Sequence, residues 1–214
     1  MIAAKNILAV IFDCDGVMFD SRQANIKYYN RILAHFSLPP MTQEEETFVY
    51  MHTADESVRY IFRKTPFLKE ANAHRKKMSY SPFIKDMVIE PGLKELLTDI
   101  RPRFGLAVAT NRSNTIGEVL STHGLNDYFD IVVSSLDVKN PKPDPESLFK
   151  ILDFFEIRPD QALYVGDSRV DLDLCLAARV PLIAYKNKAL RANIHVKGMK
   201  QLKKILDSPG TSRF

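Results

Sequence analysis

The sequence predicts an α/β fold, a doubly wound parallel sheet carrying an inserted α-helical domain. Three observations carry that expectation. Short uninterrupted apolar runs recur along the chain, helical patterns separate them, and one long stretch, residues 21–89, holds helical patterns alone. The length of 214 residues suits one large domain or a domain with an insertion. A composition of 45% hydrophobic and 26% charged residues is that of an ordinary globular chain, so a core forms without disulfide staples.

The first apolar run, residues 7–12, ends at Asp13 and is too short for a signal segment or a membrane span. Further runs fall at residues 106–109, Ile131–Val133, 162–165 and 181–184. Val-, Ile- and Leu-rich runs without polar alternation suit strands buried on both faces, as in a parallel sheet. Between them, residues 92–100 set Leu93, Leu96, Leu97 and Ile100 at helical spacing. Residues 115–123, 145–155 and 171–178 complete the alternation of strand and helix. Within the insertion, Ile26, Tyr29, Ile32, Leu33 and Phe36 lie on one helical stripe and Val58, Ile61 and Phe62 on another. Aromatic residues so spaced belong to an amphipathic core face rather than to a ligand site. The domains are therefore expected at 1–20 with 90–214, and at 21–89. The tail from Ser208, with Pro209 and Gly210, is expected to be loose.

Charge and cysteine content narrow the function classes. The net charge of +4 is spread along the chain without a coherent basic stripe or reader motif, which excludes a nucleic-acid partner. A mild positive balance favours anionic substrates. Cys14 and Cys175 are far apart and form no framework, so a reducing, cytoplasmic setting is expected. Cys14 reads as a small apolar filler, because no base motif accompanies it.

The polar residues at strand ends are the candidates for chemistry. Asp13 and Asp15 leave the first run together, followed by Gly16, and in open α/β sheets ligands bind at the carboxyl ends of strands. Asp167 and Asp171 follow the fourth run in the same way. Clustered carboxylates repel one another unless a cation neutralises them, and oxygen-only clusters suit a hard ion such as Mg²⁺. Asp171 alone reads equally as a first-turn helix residue favoured by the macrodipole. Thr110 and Asn111 end the second run, where they suit phosphoryl oxygens or a helix cap. Lys142 sits among Pro141, Pro143 and Pro145, a stiff loop that suits a placed cation.

Taken together and in order, these segments resemble the haloacid dehalogenase superfamily, in particular its phosphoglycolate phosphatase-like hydrolases with a small helical cap. The carriers are Asp13-Cys14-Asp15-Gly16, Thr110-Asn111, Lys142 in Lys-Pro-x-Pro, and Gly166-Asp167-Ser168 with Asp171. The resemblance implies a Rossmann-like core and a Mg²⁺-dependent phosphatase acting on a small phosphorylated metabolite. It implies Asp13 as nucleophile and Asp15 as acid and base. Asp13, the Asp15 backbone carbonyl and Asp167 would hold Mg²⁺; Thr110, Asn111 and Lys142 would hold the phosphate, with Asp171 behind them. An aspartate at its ordinary pKa of about 3.9 is ionised at neutral pH and needs no activating base. The chain has Ala178-Arg179 where the family often has Ala-Gly, which loses a favoured C-terminal glycine. Two alternatives stand: a phosphomutase of the β-phosphoglucomutase kind, sharing every core motif, and a phosphorelay receiver. Asp15 and the insertion weigh against the receiver. His52 is a candidate substrate contact from the insertion.

Overall fold

The computed structural model describes residues 7–192 and 194–208. Strand β1 (Ala9–Phe12) is buried along its whole length. A tight turn follows, with Gly16 at φ 83°, a conformation that L side chains resist, and leads to β2 (Phe19–Asp20). Five helices come next: α1 (Arg22–His35), α2 (Gln43–Met51), α3 (Ala54–Ile61), α4 (Leu68–Lys77) and α5 (Ser81–Ile84). β3 (Val88–Ile89) then pairs with β2 in a two-stranded sheet. The remaining elements alternate: α6 (Leu93–Ile100), β4 (Gly105–Ala109), α7 (Ile116–Thr122), β5 (Ile131–Val133), α8 (Glu146–Phe155), β6 (Ala162–Gly166), α9 (Arg169–Ala178), β7 (Leu182–Tyr185), β8 (Ile194–Val196) and α10 (Met199–Leu206).

The main sheet has the order β5-β4-β1-β6-β7-β8, and every neighbouring pair is parallel. β1, β4, β6 and β7 are buried throughout, as their unbroken apolar runs require. Ile11, Ala107, Tyr164 and Ala184 pack with Leu148, Ile151, Leu174 and Cys175 of α8 and α9. The doubly wound sheet follows the sequence expectation. β8 and α10 add to it. β8 is three residues long with an exposed His195, and α10 buries Met199, Leu202 and Leu206 at helical spacing. Most of the expected loose tail lies outside the described residues.

The chain divides into two compact units, residues 1–19 with 89–214 and residues 20–88. The second holds the helices α1 to α5. Tyr28, Tyr29, Ile32 and Leu33 of α1 are buried, as are Val58, Ile61 and Phe62, whereas Ile26 is only half-buried. Rings supply much of its interior: Tyr28 meets Tyr29, Tyr80 and Phe83 with centroids 4.9–5.5 Å apart, within the favourable range for aromatic pairs. Thr42 and Thr53 begin α2 and α3 with full capping boxes closed by Glu45 and Glu56.

Candidate active site

Three adjacent strands end side by side. β4, β1 and β6 are neighbours in register, with Phe12 opposite both Val108 and Val165. Asp13 and Asp167 directly follow β1 and β6, and Thr110 directly follows β4. The Asp13 N–H donates to Val165 O at 3.0 Å and the Thr110 N–H to Val133 O at 3.0 Å, so each leaves its strand with the ladder still holding it. A fourth loop, between β5 and α8, carries Lys142 into the same place. Asn111 fixes that loop by donating its side-chain amide to Lys142 O at 3.1 Å.

Lys142 is the hub. It is only 6% exposed, and its Nζ lies 2.8 Å from Asp13 Oδ1, 2.9 Å from Asp171 Oδ1 and 3.0 Å from the Tyr164 hydroxyl. A buried ammonium is tolerated only when its donors are paired in this way. Asp171 is fully buried at the start of α9. Its Oδ1 accepts from Lys142 and from Tyr164 Oη at 2.8 Å. Its Oδ2 accepts from the Asp167 N–H at 3.2 Å, the Ser168 N–H at 3.1 Å and Ser168 Oγ at 2.6 Å. Five donors exceed the roughly four lone-pair positions of a carboxylate, so Asp171 is spent on anchoring. Gly166 makes the packing possible: a Cβ there would sit 2.6 Å from the Asp171 Cβ and 2.8 Å from the Tyr164 ring.

The structure thus gathers Asp13, Lys142, Asp167 and Asp171, and ties Asn111 to them. The Asp15 carboxylate has a charged partner of its own. It forms a two-pronged ion pair with Arg112, Nε to Oδ2 at 2.8 Å and Nη2 to Oδ1 at 2.7 Å. Thr110 Oγ1 accepts the Arg112 N–H at 3.1 Å. His52, in the 20–88 unit, stacks flat on Phe48 with centroids 3.7 Å apart, and its Nδ1 lies 2.8 Å from Phe48 O. Arg112 and Tyr164 were missed by sequence reasoning, and Ser168, part of the fourth motif, was given no role of its own. Ser168 carries a signal, since Ser-x-x-Asp is the pattern of the capping box it forms with Asp171. Tyr164 hides within an apolar run, where nothing in the pattern reveals that its hydroxyl meets two charges.

Electrostatics set the needs of the site. Burial pushes Asp167 up to about 8, reinforced by Asp13 and Asp171. Burial raises Asp13 to about 7; Lys142 opposes that rise, while Asp171 and Asp15 add to it. Burial and the neighbouring carboxylates thus hold Asp13 above the ordinary aspartate value expected from sequence. Asp171 is held below its usual range although burial opposes this, because Lys142 and the Ser168 and Tyr164 hydrogen bonds favour its charged form. Carboxylate oxygens of Asp13, Asp167 and Asp171 lie within 4.8 Å of one another. With Asp171 saturated, the oxygens left to a cation are those of Asp13 and Asp167. A hard divalent ion fits this all-oxygen pair, and it would reverse the upward shifts of both groups.

Cys14 and Cys175 are free, buried thiols, pushed up in pKa chiefly by burial. Neither is a nucleophile here. Arg179, standing where glycine is favoured, adopts φ 57° and still closes α9, its N–H donating to Leu176 O at 3.3 Å. Among the described residues no helix is long and apolar enough to cross a membrane.

Comparison with known proteins identifies the family. The sequence model of the haloacid dehalogenase-like hydrolases matches residues 10–185. A phosphorylated carbohydrates phosphatase of Thermotoga maritima is 27% identical, over 82% of this chain and 83% of its own length. A phosphoglycolate phosphatase of Photorhabdus laumondii is 26% identical, over 84% of this chain and 80% of its own. A crystal structure of a haloacid dehalogenase-superfamily hydrolase, subfamily IA, from Geobacter sulfurreducens superimposes with a TM-score of 0.84 and 36% identity, covering 94% of this chain and 100% of that one. The chain belongs to the haloacid dehalogenase-like hydrolase family, and the receiver-module alternative falls away.

Proposed function

We propose that this haloacid dehalogenase-like hydrolase is a Mg²⁺-dependent phosphatase that moves the phosphoryl group of a small metabolite, phosphoglycolate- or sugar-phosphate-like, onto Asp13 and then to water. The observation that carries the reading is Lys142: a buried cation 2.8 Å from Asp13, fixed from behind by Asp171 and Tyr164. Such a cation offsets the repulsion between an anionic nucleophile and an anionic substrate. The relatives' names, a phosphorylated carbohydrates phosphatase and phosphoglycolate phosphatases, point to the same substrate class.

An Asp13 carboxylate oxygen attacks phosphorus, the bond to the leaving oxygen breaks, and Asp15 gives that oxygen a proton. In the second half Asp15 takes a proton from water, the water oxygen attacks phosphorus, and Asp13 is released. Splitting one displacement into two lowers each barrier, and one carboxylate serves both proton transfers. Thr110, Asn111 and Lys142 hold the phosphoryl oxygens, while Asp171 keeps Lys142 in place. Mg²⁺, held by Asp13, Asp167 and the Asp15 backbone carbonyl, supplies the remaining positive charge. We assign residues 20–88 as the cap and the rest as the core.

The test is release of phosphate from p-nitrophenyl phosphate with Mg²⁺ by the wild type and by Asp13→Asn. Turnover in the wild type and its loss, on the order of 10⁴-fold or more, in the variant is the expected result. Equal turnover in both removes Asp13 from the mechanism. Interconversion of sugar phosphates that requires a bisphosphate activator, with little net hydrolysis, makes the protein a phosphomutase.

A further inference from the structure

We propose that Arg112 is a positioning residue for the acid–base group, holding the Asp15 carboxylate in the orientation that serves the leaving oxygen. The inference rests on the reading of Asp15 just given. Arg112 reaches Asp15 with two parallel bonds of 2.7 and 2.8 Å, a fork-to-fork geometry that fixes the carboxylate plane as well as its place. Its side chain is only 7% exposed, and Nη1 also reaches Thr115 Oγ1 at 3.4 Å. The backbone is pinned too. The Arg112 N–H donates to Thr110 Oγ1, and the Arg112 carbonyl accepts from the Ser135 N–H at 2.9 Å and Ser135 Oγ at 3.1 Å. One residue therefore links the loop after β4, the loop after β5 and the carboxylate leaving β1.

Charge explains why Asp15 needs a partner of its own. Asp13 and Asp171 already share the Lys142 ammonium, and Asp167 lies beside them. A fourth carboxylate would be repelled from that group, and its χ angles would be free to carry it anywhere in the cleft. The guanidinium uses one lone pair on each Asp15 oxygen and leaves the other available for proton transfer. Small losses of alignment are expensive, since a misplacement of about 1 Å costs on the order of 10²-fold. Lysine offers a point charge without the fork, so Arg112→Lys keeps the charge and loses the orientation.

A leaving-group series on the full chain with Mg²⁺ isolates this role. p-Nitrophenolate leaves well without a proton, whereas the phenolate of phenyl phosphate needs one. In Arg112→Met, kcat/KM should fall on the order of 10²-fold for phenyl phosphate and by only about threefold for p-nitrophenyl phosphate, the scale set by general-acid contributions. Arg112→Lys should widen the same ratio by a smaller factor, with the melting temperature close to that of the wild type. Equal losses on both esters, or none on either, overturn the proposal, because a structural or purely substrate-binding role does not respond to leaving-group basicity. If Arg112→Met does not fold, the ratio in Arg112→Lys decides, and an unchanged ratio there rejects the role. Failure of the parent reading is separate: it shows as wild-type turnover that survives Asp13→Asn.

Discussion

The strand-end loops of the core and the helical unit at residues 20–88 use polar groups in opposite ways. In the core the charges are inside. Asp13, Lys142 and Asp171 are all buried, and the ion pairs among them tie the loop after β1 and the first turn of α9 to one ammonium. In the helical unit each ion pair among the described residues keeps one partner open to solvent, although the Arg75 side chain itself is only 12% exposed. Glu45 and Glu56 cap α2 and α3, Lys27 pairs with Asp86 at 2.6 Å, Arg75 pairs with Asp55, and the interior is made of Tyr28, Tyr29, Phe62 and aliphatic side chains. Buried ion pairs rarely add net stability, because desolvation offsets their attraction. On the proposed mechanism, the cluster kept where these strands converge is held for chemistry. The difference teaches where to look: charge burial marks the working part of this chain, and ring burial marks the scaffold.

The contrast breaks first at Lys142. Lys142→Met should destabilise the protein by about 3–5 kcal/mol, since it strands buried carboxylates without their counter-charge. Denaturant unfolding measures the loss, and phosphate release should vanish with it. A variant as stable as the wild type would mean that the cluster does not depend on its ammonium. The next test uses pH and metal. Asp13 and Asp167 have folded pKa values of about 7 and about 8, above their ordinary value. The stability these groups lend is complete only below the unfolded value of about 4, and it is lost as pH rises through 7 and 8. In EDTA, therefore, the melting temperature should fall from pH 5 to pH 8. Mg²⁺ at a hundred times its Kd should restore about 2.7 kcal/mol at pH 8, and less at pH 5, where protons compete for the same oxygens. A metal increment that ignores pH would remove Asp13 and Asp167 from the ligand set.

The same contrast explains what was legible in the sequence. β1, β4, β6 and β7 could be read because strands buried on both faces need unbroken apolar runs, and the polar residue that ends each run is then conspicuous. Asp13, Thr110 and Asp167 stand out for that reason, and Lys142 for its prolines. The network behind them could not be read. Tyr164 lies inside a run that its ring satisfies, and only the fold brings its hydroxyl to Lys142 and Asp171. Arg112 is one basic residue among many until β4 and β1 are set side by side. The raised pKa of Asp13 has the same origin, since burial and the Asp171 carboxylate both depend on packing from distant segments. β8 escaped notice because a three-residue strand with an exposed middle residue carries almost no pattern.

The smallest effect lies in the helical unit and sharpens the comparison from its quiet side. Thr53 Oγ1 accepts the Glu56 N–H at 3.3 Å, while Glu56 Oε2 accepts from the Thr53 N–H at 3.0 Å and from its hydroxyl at 2.8 Å. Thr53→Ala deletes the hydroxyl, so an N–H of the first turn of α3 must turn to water. The group is exposed and water replaces the lost acceptor in part, which limits the cost to about 1 kcal/mol. In a chain of this length that is a drop in melting temperature of roughly 2–4 °C. No buried charge is disturbed, so turnover of p-nitrophenyl phosphate should stay within about twofold of the wild type, a margin below what 1 kcal/mol would cost if it fell on the barrier. Should turnover fall further than stability, the first turn of α3 takes part in catalysis, and the division of labour between the two regions is wrong.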